Sequence, residues 1–281
     1  MAGHGRRTGP RREGQGLLVI DSADLRPIRT PGLVVGAALL AVILLPWPAA
    51  SWFVPSPWTS AGTLARAVTD ALVQDWRSGV TSPGTPGSAL ARPTQFWQAF
   101  HLVKAACAIA LLVTSLVAAS RIRTAATPVK RGSRRLVGSL VSQAGVGIAV
   151  LGLLITVANL QGALAPLSSV LGFLPQGASP ELSQAVASLR DGLTNGTPAP
   201  LGAAVLADFG RYHLVMAVLG ALATAALAWF AVVAWRRGGP VAGIVLGLGA
   251  ICFAVVTAAN LGTALDPAPA LDAFLAGVAS R

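Results

Sequence analysis

Five apolar runs, each close to the ~20 residues that a helix needs to cross a hydrocarbon core of about 30 Å, constrain this chain more than any other feature. They fall at roughly 32–54, 97–119, 139–162, 212–234 and 240–261. Transmembrane β-strands would read as segments of about ten residues with alternating polarity. These runs are instead continuous and rich in Ala, Leu and Val. The expected fold is an all-α integral membrane protein with five transmembrane helices. Composition agrees, because only 11% of the 281 residues are charged, against roughly 25% in soluble domains. The mean hydropathy is +0.67.

The formal charge of +11 raises nucleic acid as a partner, and its distribution argues against that. Arg6, Arg7, Arg11, Arg12, Arg26 and Arg29 precede the first run. Arg121, Arg123, Lys130, Arg131, Arg134 and Arg135 lie between the second and third, and Arg236 and Arg237 between the fourth and fifth. All of these share one side of a five-span topology, whereas seven of the ten acids lie on the other. The positive-inside rule then places the N-terminus in the cytoplasm and the C-terminus outside. A nucleic-acid surface would set its cations on one folded face with aromatic residues between them. The partner expected from charge is the lipid bilayer, with no nucleic acid.

A repeat organises the spans. Thr156-Val-Ala-Asn-Leu-Gln-Gly-Ala-Leu-Ala-Pro166 and Thr257-Ala-Ala-Asn-Leu-Gly-Thr-Ala-Leu-Asp-Pro267 agree at seven of eleven positions, and each closes an apolar run. Phe100-His101-Leu-Val and Tyr212-His213-Leu-Val open the second and fourth spans. The unit reads as an ascending span, an outer loop with a short helix, and a descending span with an aromatic-His start. Units entering in the same orientation form a parallel repeat. Leu64, Val68, Leu72 and Trp76 in the first loop, and Leu182, Val186, Leu189 and Leu193 in the second, have amphipathic helical spacing. Both helices are expected to end near Gly79 and Gly192 and to cap the bundle.

The resulting plan is a basic cytoplasmic tail (1–30), a first unit (31–119), a basic cytoplasmic loop (120–137), a second unit (138–234), and a fifth span with a short extracytoplasmic segment (235–281). A secretory signal with cleavage after Ala49-Ala50-Ser51 competes with the first span. The apolar run continues past that site through Trp52-Phe53-Val54, which favours an anchor. Cys107 and Cys252 both fall inside spans, where they read as small buried hydrophobes and not as a disulfide.

Five polar residues in the spans are the candidate ligand-binding groups. Asn159 and Asn260 end their spans, where they serve either as caps or as amides facing each other across the repeat axis. His101 and His213, at matching positions, can ligate haem iron or simply belong to an interfacial aromatic belt. Lys104 is the only Lys or Arg well inside a span, and it snorkels to the headgroups, pairs with Asn159 or an outer-loop acid such as Asp208, or marks a proton or anion path. No carboxylate lies inside a span, so no metal site is expected. Gly243 and Gly247 have GxxxG spacing, and Gly145, Gly147 and Gly152 smooth the third span. Trp47, Trp52, Trp58, Trp76 and Trp97 crowd the outer end of the first unit as a surface for lipid or a partner.

No phosphate loop, HExxH, GxSxG or paired-carboxylate motif appears, so no catalytic residues are expected. The Ala-, Gly- and Arg-rich, Lys-poor composition suggests the coding bias of a GC-rich bacterial genome, and the expected location is the bacterial plasma membrane. The reading is a non-enzymatic accessory or scaffold subunit of a cell-envelope membrane complex, with a membrane-protein partner or homo-oligomer. Its alternatives are a haem- or quinone-binding protein and a small-solute transporter using Lys104.

Overall fold

The computed structural model describes residues 26–126, 132–175, 179–237 and 240–279. The expected basic tail up to residue 25, with His4, lies outside the described residues, as does the centre of the basic loop at 127–131. Among the described residues there are ten helices and no strand. They are α1 (Arg26–Leu44), α2 (Pro46–Phe53), α3 (Ala61–Ser78), α4 (Ala91–Ala126), α5 (Gly132–Leu164), α6 (Pro166–Leu171), α7 (Pro180–Thr194), α8 (Pro200–Arg236), α9 (Pro240–Leu265) and α10 (Ala268–Ala279).

Four of them, α4, α5, α8 and α9, contain stretches long and apolar enough to cross a membrane. A fifth span exists only if α1 and α2 count as one, because the chain bends by 56° between them. The single straight span expected over 32–54 is therefore corrected. Pro46 has no N–H to continue the ladder, and its ring meets the carbonyl one turn earlier, so α1 stops at Leu44. The same device ends α5 before Pro166 and α9 before Pro267.

The second and fourth spans are longer than their apolar runs. At 36 and 37 residues, α4 and α8 reach about 54–56 Å. They begin at Ala91 and Pro200, about two and about three turns before the expected starts at Trp97 and Tyr212, and their other ends run into the segment expected to be loop, with α4 continuing to Ala126. The extra N-terminal turns form a post around which α2, α3, α6, α7 and α10 assemble as a cap. The apolar stripe of α3 (Leu64, Val68, Leu72) meets that of α7 (Leu182, Val186, Leu189), joined by Val170 of α6, Val205 of α8 and Leu271 and Leu275 of α10. Leu64, Val68, Leu72, Leu182 and Val186 are all 0% exposed. Burying each such side chain contributes about 1.5–3 kcal/mol.

The spans are the opposite. Leu33, Leu222, Val245 and Ile251 stand more than 60% exposed, along with much of α1, α8 and α9. One molecule thus holds a dry cap with a proper core and a bundle whose rim is apolar. That contrast is expected when lipid is the solvent of the bundle alone.

α4 packs mainly along α5, and α8 along α9, with α1 against α4 and α5 more lightly against α8. Glycine sets the close approach. A Cβ on Gly152 would lie 3.0 Å from the Leu112 backbone N, and one on Gly145 would lie 3.1 Å from Ala119 Cβ. In the expected GxxxG pair only Gly243 faces a neighbour, at Trp235 and Ala231, while Gly247 and Gly147 face open space. In the cap, α3 ends at Gly79 (φ 62°) as read. However, α7 runs through Gly192 to Thr194 and the left-handed residue is Gly196 (φ 68°). Gly192 is small for another reason, since a Cβ there would sit 3.1 Å from Pro198.

Candidate functional site

The polar groups of the spans gather at the cap end of two helix seams. Asn159 on α5 donates its Nδ2 to the Ile155 carbonyl, one turn back, at 2.7 Å. That bond fixes the amide, so Oδ1 faces α4 and meets His101 Nδ1 at 2.8 Å. An oxygen accepts there, so Nδ1 carries the imidazole proton in the neutral ring and Nε2 is the acceptor. Nε2 lies 3.0 Å from Ser169 Oγ on α6, and Ser169 Oγ in turn accepts from Trp97 Nε1 at 2.9 Å. The result is a directed chain from Trp97 through Ser169 and His101 to Asn159, joining α4, α5 and α6. Gly162 makes room for it, because a Cβ there would come 2.6 Å from His101 Cδ2. Trp97 lies T-shaped on the His101 ring and Phe173 T-shaped on Trp97, each pair with centroids 4.6 Å apart.

The α8–α9 seam repeats half of this. Asn260 Nδ2 donates to the Val256 carbonyl at 2.8 Å, and Oδ1 meets His213 Nδ1 at 2.8 Å. Phe209 and Phe274 stand where Trp97 and Phe173 stand in the first seam, with centroids 6.5 Å apart. The other half differs. Ser169 is ten residues beyond Asn159, and the residue ten beyond Asn260 is Ala270, which has no hydroxyl. Phe209 has no N–H to offer, and Thr263 replaces Gly162. His213 Nε2 therefore has no hydrogen-bond partner among the described residues.

This settles what each singled-out residue touches. The two Asn side chains do not pair with each other, since each is held by the His of the neighbouring helix. His101 can bind iron through Nε2 only by giving up Ser169. His213 keeps a free, oriented nitrogen lone pair. No group of three or more His, Cys, Asp or Glu is placed to hold a metal among the described residues. Cys107 and Cys252 are both free thiols, and Cys252 is exposed on α9 and not buried.

Lys104 lies one turn deeper on α4. Side chains on a helix lean toward its N-terminus, and Nζ sits 5.3 Å from the centroid of the Phe100 ring, folded toward the cap end. Neither Asn159 nor Asp208 receives it. Asp208 accepts from the Ser168 backbone N at 2.7 Å, which caps α6, and lies 3.6 Å from Arg211. The tryptophans also sort differently from their sequence grouping. Trp47 and Trp58 turn inward on Phe96, and Trp97 joins them, whereas Trp52 is 78% exposed.

Three acids take structural roles that their sequence context does not assign. Asp75, at the end of α3, is 2% exposed and accepts from Ser88 Oγ (2.5 Å), Ala89 N (2.7 Å) and Leu90 N (3.2 Å), tying α3 to the start of α4. Asp208 does the same for α6. Asp272 holds Arg190 through two hydrogen bonds of 2.7 and 3.3 Å, locking α7 to α10. That guanidinium keeps the Asp272 carboxyl below its ordinary range. Glu181 is lowered by the backbone N–H and Ser179 at the start of α7. Ser169 and Phe173 were missed, although they follow Asn159 at the spacing at which Ala270 and Phe274 follow Asn260.

Fold and site together define a multi-pass helical membrane protein whose embedded polar groups cross-link helices. Comparison with protein-family models, with curated proteins and with solved structures found no match.

Proposed function

We propose that the chain is a non-enzymatic scaffold or accessory subunit of a bacterial cell-envelope complex. In this reading it is built on a parallel internal repeat and set in the plasma membrane with its N-terminus cytoplasmic and its cap outside. The observation that carries it is the use of the polar groups. Both nitrogens of His101, the whole Asn159 amide and the Asp75 carboxylate all bind other parts of the chain. Such groups stiffen a frame and leave no reactive centre. The orientation is supported by Arg121, Arg236 and Arg237, which stand at the helix ends away from the cap. The repeat is supported by the recurring His–Asn clamp and by the recurring Trp97–Phe173 and Phe209–Phe274 contacts. The test is purification of the full chain in mild detergent, with crosslinking in native membranes. A defined homo-oligomer or a stoichiometric membrane-protein partner is expected, and a monomer by both methods overturns the reading.

A second reading, a haem- or quinone-binding protein, has one observation in its favour, the free Nε2 of His213. Because Nδ1 holds the proton, Nε2 accepts, which suits iron or the hydroxyl of a quinol. An absorption spectrum of the oxidised and dithionite-reduced protein, with mass spectrometry of extracted cofactors, decides it. A Soret band or bound quinone that His213→Ala removes supports this reading, and a colourless, quinone-free sample ends it.

A further inference from the structure

On the side of α4 that faces α1, the bundle is grooved. Val42 and Ile43 of α1 form one wall, and Leu154, Ile155 and Ala158 of α5 form the other. Phe100 and Lys104 of α4 lie between them, in a space of about 550 Å³. The walls are aliphatic and open sideways, with Ile43 66% and Leu154 46% exposed, so the groove faces the medium that surrounds the spans. The one charge is the ammonium of Lys104, at the cap end over the Phe100 ring. Among the described residues no carboxylate pairs with it. Asn159, which borders the same space, has its amide fully engaged by Ile155 and His101.

An aliphatic slot that opens to the bilayer and ends in an unpaired cation near the headgroup level has the polarity of one anionic lipid. We infer that this groove binds an anionic phospholipid, with one acyl chain between α1 and α5 and the phosphate on Lys104. Charge complementarity selects the occupant. A zwitterionic lipid would fill the slot equally well but would bring its own cation to the ammonium, and an uncharged lipid would bring no counter-charge. A helix from a partner would leave the ammonium buried against apolar side chains without a counter-charge. The phosphate also answers the position of Nζ, which is folded toward the cap end where headgroups lie. The inference stands apart from the scaffold reading, since it needs only that the spans lie in lipid.

The test is native mass spectrometry of the full chain in detergent, titrated with dioleoyl phosphatidylglycerol, dioleoyl phosphatidylcholine or oleate. One phosphatidylglycerol should be retained about fivefold better than phosphatidylcholine, in line with the worth of one Lys near an anionic surface. Lys104→Gln should abolish that preference and Lys104→Arg should keep it. Ala158→Trp, which fills the slot and leaves the charge, should lower retention of every lipid, with circular dichroism reporting an intact helical fold for each variant. Equal retention of the two phospholipids by the wild type overturns the inference, as does a preference that survives Lys104→Gln. Oleate displacing phosphatidylglycerol at equal concentration would replace the phospholipid with a free fatty acid and also overturn it.

Discussion

His101 Nδ1 on α4 lies 2.8 Å from Asn159 Oδ1 on α5, and the Asn amide can face no other way because its Nδ2 is tied to Ile155. An interhelical hydrogen bond in a membrane contributes about 0.6–2 kcal/mol. The His101 bond stands at the upper end, since Asn159 is 6% exposed and its loss also leaves the imidazole proton unpaired. Asn159→Ala should therefore destabilise the folded protein by about 1–2 kcal/mol, and Asn260→Ala, on the seam without a serine relay, by about 0.6. Reversible unfolding in mixed micelles measures both. Equal losses would mean that the relay through Ser169 adds nothing.

Glycine positions separate by what they face. Gly162→Ala would drive a methyl into the His101 ring, and Gly152→Ala would push α5 from the α4 backbone. Each should cost about 1–3 kcal/mol, the usual range for overpacking. Gly247→Ala, which meets nothing within 4 Å, should be neutral or slightly stabilising. A loss at Gly247 comparable to that at Gly152 would show that α9 has a close neighbour beyond this chain.

Asp75 anchors the cap. Removing a buried carboxylate that receives three hydrogen bonds strands the Ala89 N–H and the Ser88 hydroxyl proton and leaves the Leu90 N–H with Ser88 Oγ alone, so Asp75→Ala should destabilise the cap by about 2–4 kcal/mol. Ser88→Ala removes one donor to Asp75 and the acceptor of the Gly84 and Leu90 N–H groups, of which Leu90 keeps Asp75, and should cost about 1–2 kcal/mol. Limited proteolysis around α3 should report the change before the spans respond. Unchanged cleavage in Asp75→Ala would reject the anchor.

The Arg190–Asp272 pair makes α10 docking pH-dependent. Its bonded guanidinium holds the Asp272 carboxyl below its ordinary value. A group depressed in the folded state contributes stability that is complete above its unfolded pKa, about 4 for Asp. The contribution is lost as pH falls through the lower folded value. The protection of α10 amides, taken relative to their intrinsic exchange rate at each pH, should therefore be flat from neutral pH to about 5 and fall below about 4. Asp272→Asn should remove that acid limb, and salt should blunt it in the wild type because both side chains are more than a third exposed. An acid limb that persists in Asp272→Asn would assign it elsewhere.

The spans were legible because each is a long apolar run, and lipid demands that length whatever the neighbours are. The Thr156–Pro166 and Thr257–Pro267 match also pointed to residues that turn out to do equivalent things. What a sequence lacks is direction. Asn159 and Asn260 read either as span-end caps and interhelical hydrogen bonders or as a facing pair, and each meets a His that is remote in sequence, since α5 packs on α4 and α9 on α8. Trp47, Trp58 and Trp97 read as surface because Trp marks interfaces, and they turn inward because the cap gives them a core to fill.

Hydropathy, proline and charge in the sequence alone determined an all-helical membrane chain of several spans, breaks at Pro166 and Pro267, and basic segments between spans; the bend at Pro46, which leaves the first span a bent pair, came from the structure. These properties depend on each residue and its solvent. Tertiary structure decided the rest: that α4 and α8 outgrow the bilayer to carry a cap, that His101 is saturated while His213 keeps a free nitrogen, and that Lys104 ends a groove. Each of those depends on which helix lies beside which, and therefore on a hydroxyl at Ser169 that Ala270 does not have and on the space left by a missing side chain at Gly162.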